Sequence, residues 1–189
     1  MSKSALILVG SACVLLAGCG SGGSGEGGAS GEAAETASTG GMPADWKATD
    51  ACSIVDKAEM AEVMKAEVAE TSLGLVHEPD GATAATSECT YALKDGGTVT
   101  VMTRWSPIAD NTPETIAATR SASASALKAF SDKALEDVPG VGKAAFMVPG
   151  INQFTVFLDD SRMMVISLGS VPAGEEKDRA IALVGTAGG

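Results

Sequence analysis

The sequence predicts an α+β domain: a two-layer sandwich whose antiparallel sheet of about five strands carries helices on one face, in the order αββαβββα. Three observations predict it. Residues 89–105 alternate in polarity on both sides of a glycine turn, as a hairpin does. Residues 144–168 hold three short apolar runs separated by tight-turn residues. Stretches with helix-start chemistry and helical apolar spacing precede, divide and follow these strands.

In chain order, Asp56-Lys57-Ala58-Glu59 places an N-cap acid three residues before a glutamate, and Met60, Val63 and Met64 follow at helical spacing, so a first helix runs to about Ala66. Cys89, Tyr91 and Leu93 alternate with Thr90 and Ala92. After Asp95-Gly96-Gly97 turns the chain, Val99, Val101, Thr103 and Trp105 alternate again. Asn111-Thr112-Pro113-Glu114 opens a second helix bearing Ile116, Leu127 and Phe130 on an Ala/Ser-rich body. A Val138–Gly142 loop leads to a meander of Ala144–Val148, Phe154–Leu158 and Met163–Leu168. Its turns are Pro149-Gly150-Ile151-Asn152 and Asp159-Asp160-Ser161. Pro172–Glu176 starts a final helix with acids in its first turn, Ile181, Leu183 and Val184 inside it, and Gly185 as its stop. The split into αββ and αβββ hints at a degenerate duplication.

The chain outside this domain has a different composition. Lys3 precedes an uncharged apolar run, Ala5–Val9 and Val14–Leu16, interrupted by Gly10 and Ser11. That is a secretory h-region, shorter than the ~20 residues a transmembrane helix needs. It ends in Leu16-Ala17-Gly18-Cys19, which resembles the lipobox of bacterial lipoproteins. The resemblance implies cleavage before Cys19 and acylation of its thiol. It also implies an address in the cell envelope: the outer membrane of a diderm, since Gly20 is not the retaining aspartate, or the outer face of the single membrane of a monoderm. Two or three acyl chains would anchor the chain stably. Residues 20–41 are almost all Gly, Ser, Ala, Thr and Glu, too polar to bury a core, and read as a tether reaching roughly 25 Å. The expected divisions are therefore a signal peptide at 1–18, the lipidated cysteine and tether at 19–44, and a single α+β domain at 45–189.

The Cys52-Ser53-Ile54-Val55 start, Cys89 opening the first strand, and the Val-Pro-Gly-Val-Gly-x-Ala-Ala turn at 138–145 are similar to uncharacterised domains of many bacterial lipoproteins, from about Cys52 to Val184. That resemblance implies a fold and no activity. With Cys13 removed and Cys19 acylated, Cys52 and Cys89 remain in an oxidising compartment and are expected to bond to each other. The bridge would close a roughly 40-residue loop, worth ~4 kcal/mol on chain-entropy grounds. A redox or metal-binding pair is the alternative, but the Cys-x-x-Cys spacing that would activate a thiol is missing.

The 24 acidic residues outnumber 13 Lys and Arg, which argues against attraction to nucleic acid phosphate or anionic lipid. His77 is the one histidine, set in Leu75–Gly81 between the first helix and the first strand; it reads as a solvated loop residue, or as a general base beside an unseen serine. No nucleophile elbow, Ser-x-x-Lys or phosphate loop occurs, and no cofactor is expected. Met60, Met64, Met102, Met147, Met163 and Met164 read as core packing rather than a soft-metal site. Asp159-Asp160-Ser161 reads as a turn rather than a calcium loop. Two functions remain. One is a lipid-anchored, non-catalytic domain that binds an envelope protein or cell-wall ligand through its sheet face or loops. The other is an envelope hydrolase acting on cell-wall or peptide substrates.

Overall fold

A computed structural model of the chain describes residues 41–169 and 171–188; the leader, Cys19 and nearly all of the tether fall outside them. Among the described residues are four helices, α1 (Ala51–Ile54), α2 (Lys57–Met64), α3 (Pro113–Lys128) and α4 (Glu176–Thr186). There are seven strands: β1 (Val68–His77), β2 (Ala85–Leu93), β3 (Thr98–Trp105), β4 (Glu136–Asp137), β5 (Ala144–Val148), β6 (Gln153–Phe157) and β7 (Arg162–Leu168). The strands form one antiparallel sheet in the order β1-β2-β3-β7-β6-β5-β4. Two meanders thus meet at their last strands, β3 and β7.

The α+β class stands, and the sheet is wider than the five strands expected. The two additions are the edges. β1 buries only Val68 of its ten residues, so it lacks the alternation that marks a half-buried strand. β4 is two residues long and both are exposed. A four-residue turn of helix, α1, also precedes the expected first helix. The observed order is therefore ααβββαββββα rather than αββαβββα.

One face of the sheet carries the main core. Register aligns Tyr91, Val99 and Leu168 in one cross-strand row, and Cys89, Val101, Ile166, Phe154 and Met147 in the next. Both rows are buried under Trp46, Ala51, Ile54, Val55, Met60 and Met64 from the N-terminal segments and Ala180, Leu183 and Val184 from α4. Backbone polarity in the 46–55 segment is satisfied by the sheet. Ser87 Oγ accepts from the Ala51 N–H at 2.8 Å and donates to the Ala48 carbonyl at 2.7 Å, and Thr103 Oγ1 donates to the same carbonyl at 3.1 Å. The Tyr91 hydroxyl donates to the Val55 carbonyl, and burial foremost, then the charges of Asp56, Glu59 and Asp50, push its pKa well above the usual phenol range. A disulfide joins Cys52 to Cys89 with a Cα–Cα distance of 5.0 Å, as expected, pinning α1 to the middle of β2.

Helix ends follow local chemistry. Asp56 Oδ1 accepts from the Ala58 and Glu59 N–H groups at 2.7 and 2.8 Å, and Glu59 returns a bond to the Asp56 N–H at 2.8 Å, a complete capping box. α2 closes at Lys65 in the left-handed region (φ +52°), slightly short of the expected Ala66. Its last turn has no basic residue of its own. Arg179 of α4 supplies one, donating to the Val63 carbonyl at 3.0 Å while Glu175 holds its other nitrogens. α4 runs through the expected stop at Gly185 to Thr186.

The expectation that all helices share one face fails at α3. Leu127 and Ile116 pack with Phe146, Val148 and Phe157, whose register places them on the face opposite Met147 and Phe154. α3 thus covers the second face over β5 and β6, and among the described residues the β1–β3 half stays open.

Candidate functional site

The boundary between the covered and open halves is a trough. Along α3, Thr119, Ser123 and Ala126 recur at helical spacing on one side of the helix, which ends at Lys128 and leaves Phe130, expected within it, in the turn that follows. Two adjoining concavities of about 310 Å³ each run beside that stripe and share Ser123 and Gln153. The first has Met102, Met163 and Val165 as its apolar floor, and Thr100, Thr119, Thr155, Ser167 and Gln153 as hydroxyl and amide rim. Glu88 is its one ionisable residue. The second, against Leu127, Phe130, Val148 and Ile151, is almost wholly apolar. The small side chains Ala122, Ser123 and Ala126 leave this space open, while Leu127 one step round the helix is fully buried and holds α3 down.

The residues singled out from sequence are mostly elsewhere. His77 is the last residue of an edge strand rather than part of a loop; it is exposed and forms no side-chain hydrogen bond or ion pair among the described residues. The methionines divide. Met60, Met64, Met147 and Met164 are buried in the core, whereas Met102 and Met163 are half-buried and form the trough floor. No group of three or more His, Cys, Asp or Glu residues able to hold a metal ion occurs among the described residues. Cys52 and Cys89 are bonded to each other behind the sheet, and Cys89 is fully buried.

The densest polar cluster joins the β3–α3 loop to the β6–β7 turn. Arg104 donates Nη1 and Nη2 to the two carboxylate oxygens of Asp110 at 2.9 and 2.6 Å, and this bond foremost holds the Asp110 carboxyl below its usual range. Buried Asn111 donates Nδ2 to the Asp159 and Arg162 carbonyls at 2.8 and 3.0 Å. Lys143 donates to the Asn111 carbonyl at 2.7 Å and pairs with Asp160. Asp159 accepts from the Ser161 and Arg162 N–H groups and from Arg162 Nε, at 2.7 to 2.8 Å; burial raises its pKa, but these bonds outweigh burial and leave it lowered. The Arg162 guanidinium also lies 5.3 Å from the Trp46 ring centroid. The charged groups are paired within the cluster, which makes it a structural clasp at the Asp159–Ser161 turn, while the buried Ser106 hydroxyl and Trp46 indole N–H beside it have no hydrogen-bond partner among the described residues.

Sequence reasoning passed over the trough. Its signal was present in the outward positions of the second meander: Gln153, Thr155, Met163, Val165 and Ser167 are mixed in polarity, whereas the inward Phe154, Val156, Met164, Ile166 and Leu168 are all apolar. No helix among the described residues is long and apolar enough to cross a membrane. In comparisons with known proteins, the chain matches no family model, no curated protein and no solved structure.

Proposed function

We propose that the chain is an envelope lipoprotein, held by acyl chains on Cys19, whose disulfide-stapled domain acts by binding a ligand in the trough beside α3. The observation that carries this reading is the trough itself, a concavity on a half-covered sheet face with an apolar floor, a rim of hydroxyl and amide groups and a single acid, Glu88. Such a lining suits the hydroxyl- and amide-rich part of a ligand, with any carboxylates of that ligand held away from Glu88. A cell-wall glycan–peptide fragment has that chemistry. The Cys52–Cys89 bridge supports an oxidising compartment, and the leader supplies the route there and the anchor. The hydrolase alternative draws on His77, but the trough is lined by other residues, and no acid or hydroxyl bonds to His77 among the described residues.

The test is titration of the full chain in detergent with soluble muropeptides, followed by amide chemical shifts. Saturable shifts at Gln153, Thr155 and Ser167 that vanish in Val165→Trp, with the muropeptide recovered intact, are expected. Turnover that disappears in His77→Ala would establish the hydrolase instead, and saturable shifts confined to other surfaces would remove the trough from consideration. The anchor is tested separately: Cys19→Ser is expected to abolish incorporation of a fatty-acid analogue and to release the protein from membranes.

A further inference from the structure

We propose that the exposed edge of β1 is a docking strand for an extended, apolar polypeptide segment carrying Lys or Arg at its ends. This site is separate from the trough and does not rest on its reading. The sheet has two edges, and they are treated differently. β4 is too short to template another strand, but β1 is ten residues long and pairs on one side only, with β2. A strand paired on one side leaves alternate N–H and C=O groups facing outward, ready for an added strand. Among the described residues this edge is closed only at its start, where Lys57 Nζ donates to the Ala69 carbonyl at 3.0 Å.

Side chains mark the same segment. Of the six exposed large hydrophobic residues among those described, three lie within four positions of β1: Leu73 at 44 %, Leu75 at 72 % and Val76 at 49 % relative exposure. Leu75 stands at φ +50° where the register slips between Gly74 and His77. A leucine held in the left-handed region, mostly in water, costs stability and gains no burial, a combination that clusters at recognition sites.

Charge selects the occupant. Glu70 lies within the strand, and Glu78 and Asp80 follow it. All three are exposed and have no ion-pair partner among the described residues, whereas nearby Glu67 is already paired with Lys94. A second copy is a poor occupant. Antiparallel pairing about Gly74 sets Glu70 of one copy against Glu78 of the other, parallel in-register pairing sets Glu70 against Glu70, and like charges across strands repel. An anionic lipid surface meets the same acids. A strand with apolar residues for Leu73, Leu75 and Val76 and cations for Glu70 and Glu78–Asp80 satisfies every group on the edge.

The experiment uses the full chain in detergent and two nine-residue peptides with the same alternating Val/Thr centre, one with paired lysines at each end and the other with paired glutamates. Fluorescence anisotropy is expected to show the lysine peptide binding about tenfold more tightly at low salt, with the preference shrinking as salt rises. Hydrogen exchange should slow in β1 on binding. Glu70→Lys combined with Glu78→Lys, both at exposed positions, should reverse the preference. Equal binding of the two peptides, binding of neither, protection confined to residues outside β1, or a dimer whose interface is β1 would each overturn the proposal.

Discussion

β2 and β3 bury every second residue, whereas β5 and β6 each bury four in succession. The backbone period is the same in both halves of the sheet, so the difference comes from what lies on the second face. Under α3 the outward side chains Phe146, Val148 and Phe157 are as deeply buried as the inward Met147, Phe154 and Val156. Over β1–β3 no described residue covers that face, and Thr86, Glu88, Thr90, Thr100 and Met102 remain half-exposed. The contrast also bears on the expected duplication. Two meanders that meet antiparallel at β3 and β7 are related most simply by a two-fold axis perpendicular to the sheet, which would place α2 and α3 on the same side. They lie on opposite sides, so the second half is not a rotated copy of the first.

Two residues in a single cross-strand row make this comparison measurable. Met102 pairs with Val165, Val165 with Thr155, and Thr155 with Phe146, so Met102 and Phe146 stand on one face at one level. Phe146→Ala is expected to cost about 3–5 kcal/mol, because it leaves a cavity beneath α3, while Met102→Ala should cost less than about 1 kcal/mol. Urea unfolding of the full chain measures both. Equal costs would mean that the open half is covered after all. The disulfide ranks next. Replacing Cys52 and Cys89 together by Ala should cost about 2–4 kcal/mol, seen as a fall in Tm that reductant does not add to. An unchanged Tm would assign the hold on residues 46–55 to the Ser87, Thr103 and Tyr91 hydrogen bonds alone.

What could be read in advance tracks the same division. The β2–β3 hairpin was legible because one wet face imposes alternation, and β5 and β6 were legible as apolar runs because both faces are covered, while β7 alternates in burial and showed as a run because Met163 and Val165 on its outward face are apolar too. β1 was not legible: an edge strand wet on nearly every side carries neither pattern, and His77 at its end therefore looked like a loop residue. The disulfide followed from counting cysteines. The trough did not, because it depends on which face α3 occupies, and the Ala/Ser body of α3 fits either face.

The Arg104–Asp110 pair lies at the end of the open half, and its contribution should depend on pH. Its carboxyl titrates lower in the folded chain than in the unfolded one, so the pair stabilises the fold above the unfolded value of ~3.9. That contribution disappears as pH falls through the lower, folded value. The pair is partly solvated, so its worth is about 1 kcal/mol or less. Asp110→Asn should therefore be slightly less stable than the parent chain at pH 7, with the difference shrinking as pH falls below the unfolded value. A difference that persists unchanged at pH 2 would show that the asparagine disturbs the Asn111 clasp rather than removing a charge.

The smallest expected effect has the opposite sign. Leu75 occupies the left-handed region at φ +50°, where an ordinary L-residue is disfavoured by roughly 1 kcal/mol and asparagine much less. Its side chain is 72 % exposed, so little packing is lost when it is removed. Asparagine also avoids the unfolded-chain entropy that glycine would add. Leu75→Asn should accordingly raise stability by about 0.5 kcal/mol, in contrast to every substitution under α3. If the edge of β1 receives a partner strand, the same variant should bind the lysine peptide more weakly while unfolding later. A strained leucine would then be kept for recognition at the expense of the fold. A loss of stability in Leu75→Asn would instead mean that the side chain packs against the register slip and that the strain at residue 75 belongs to the architecture of the edge.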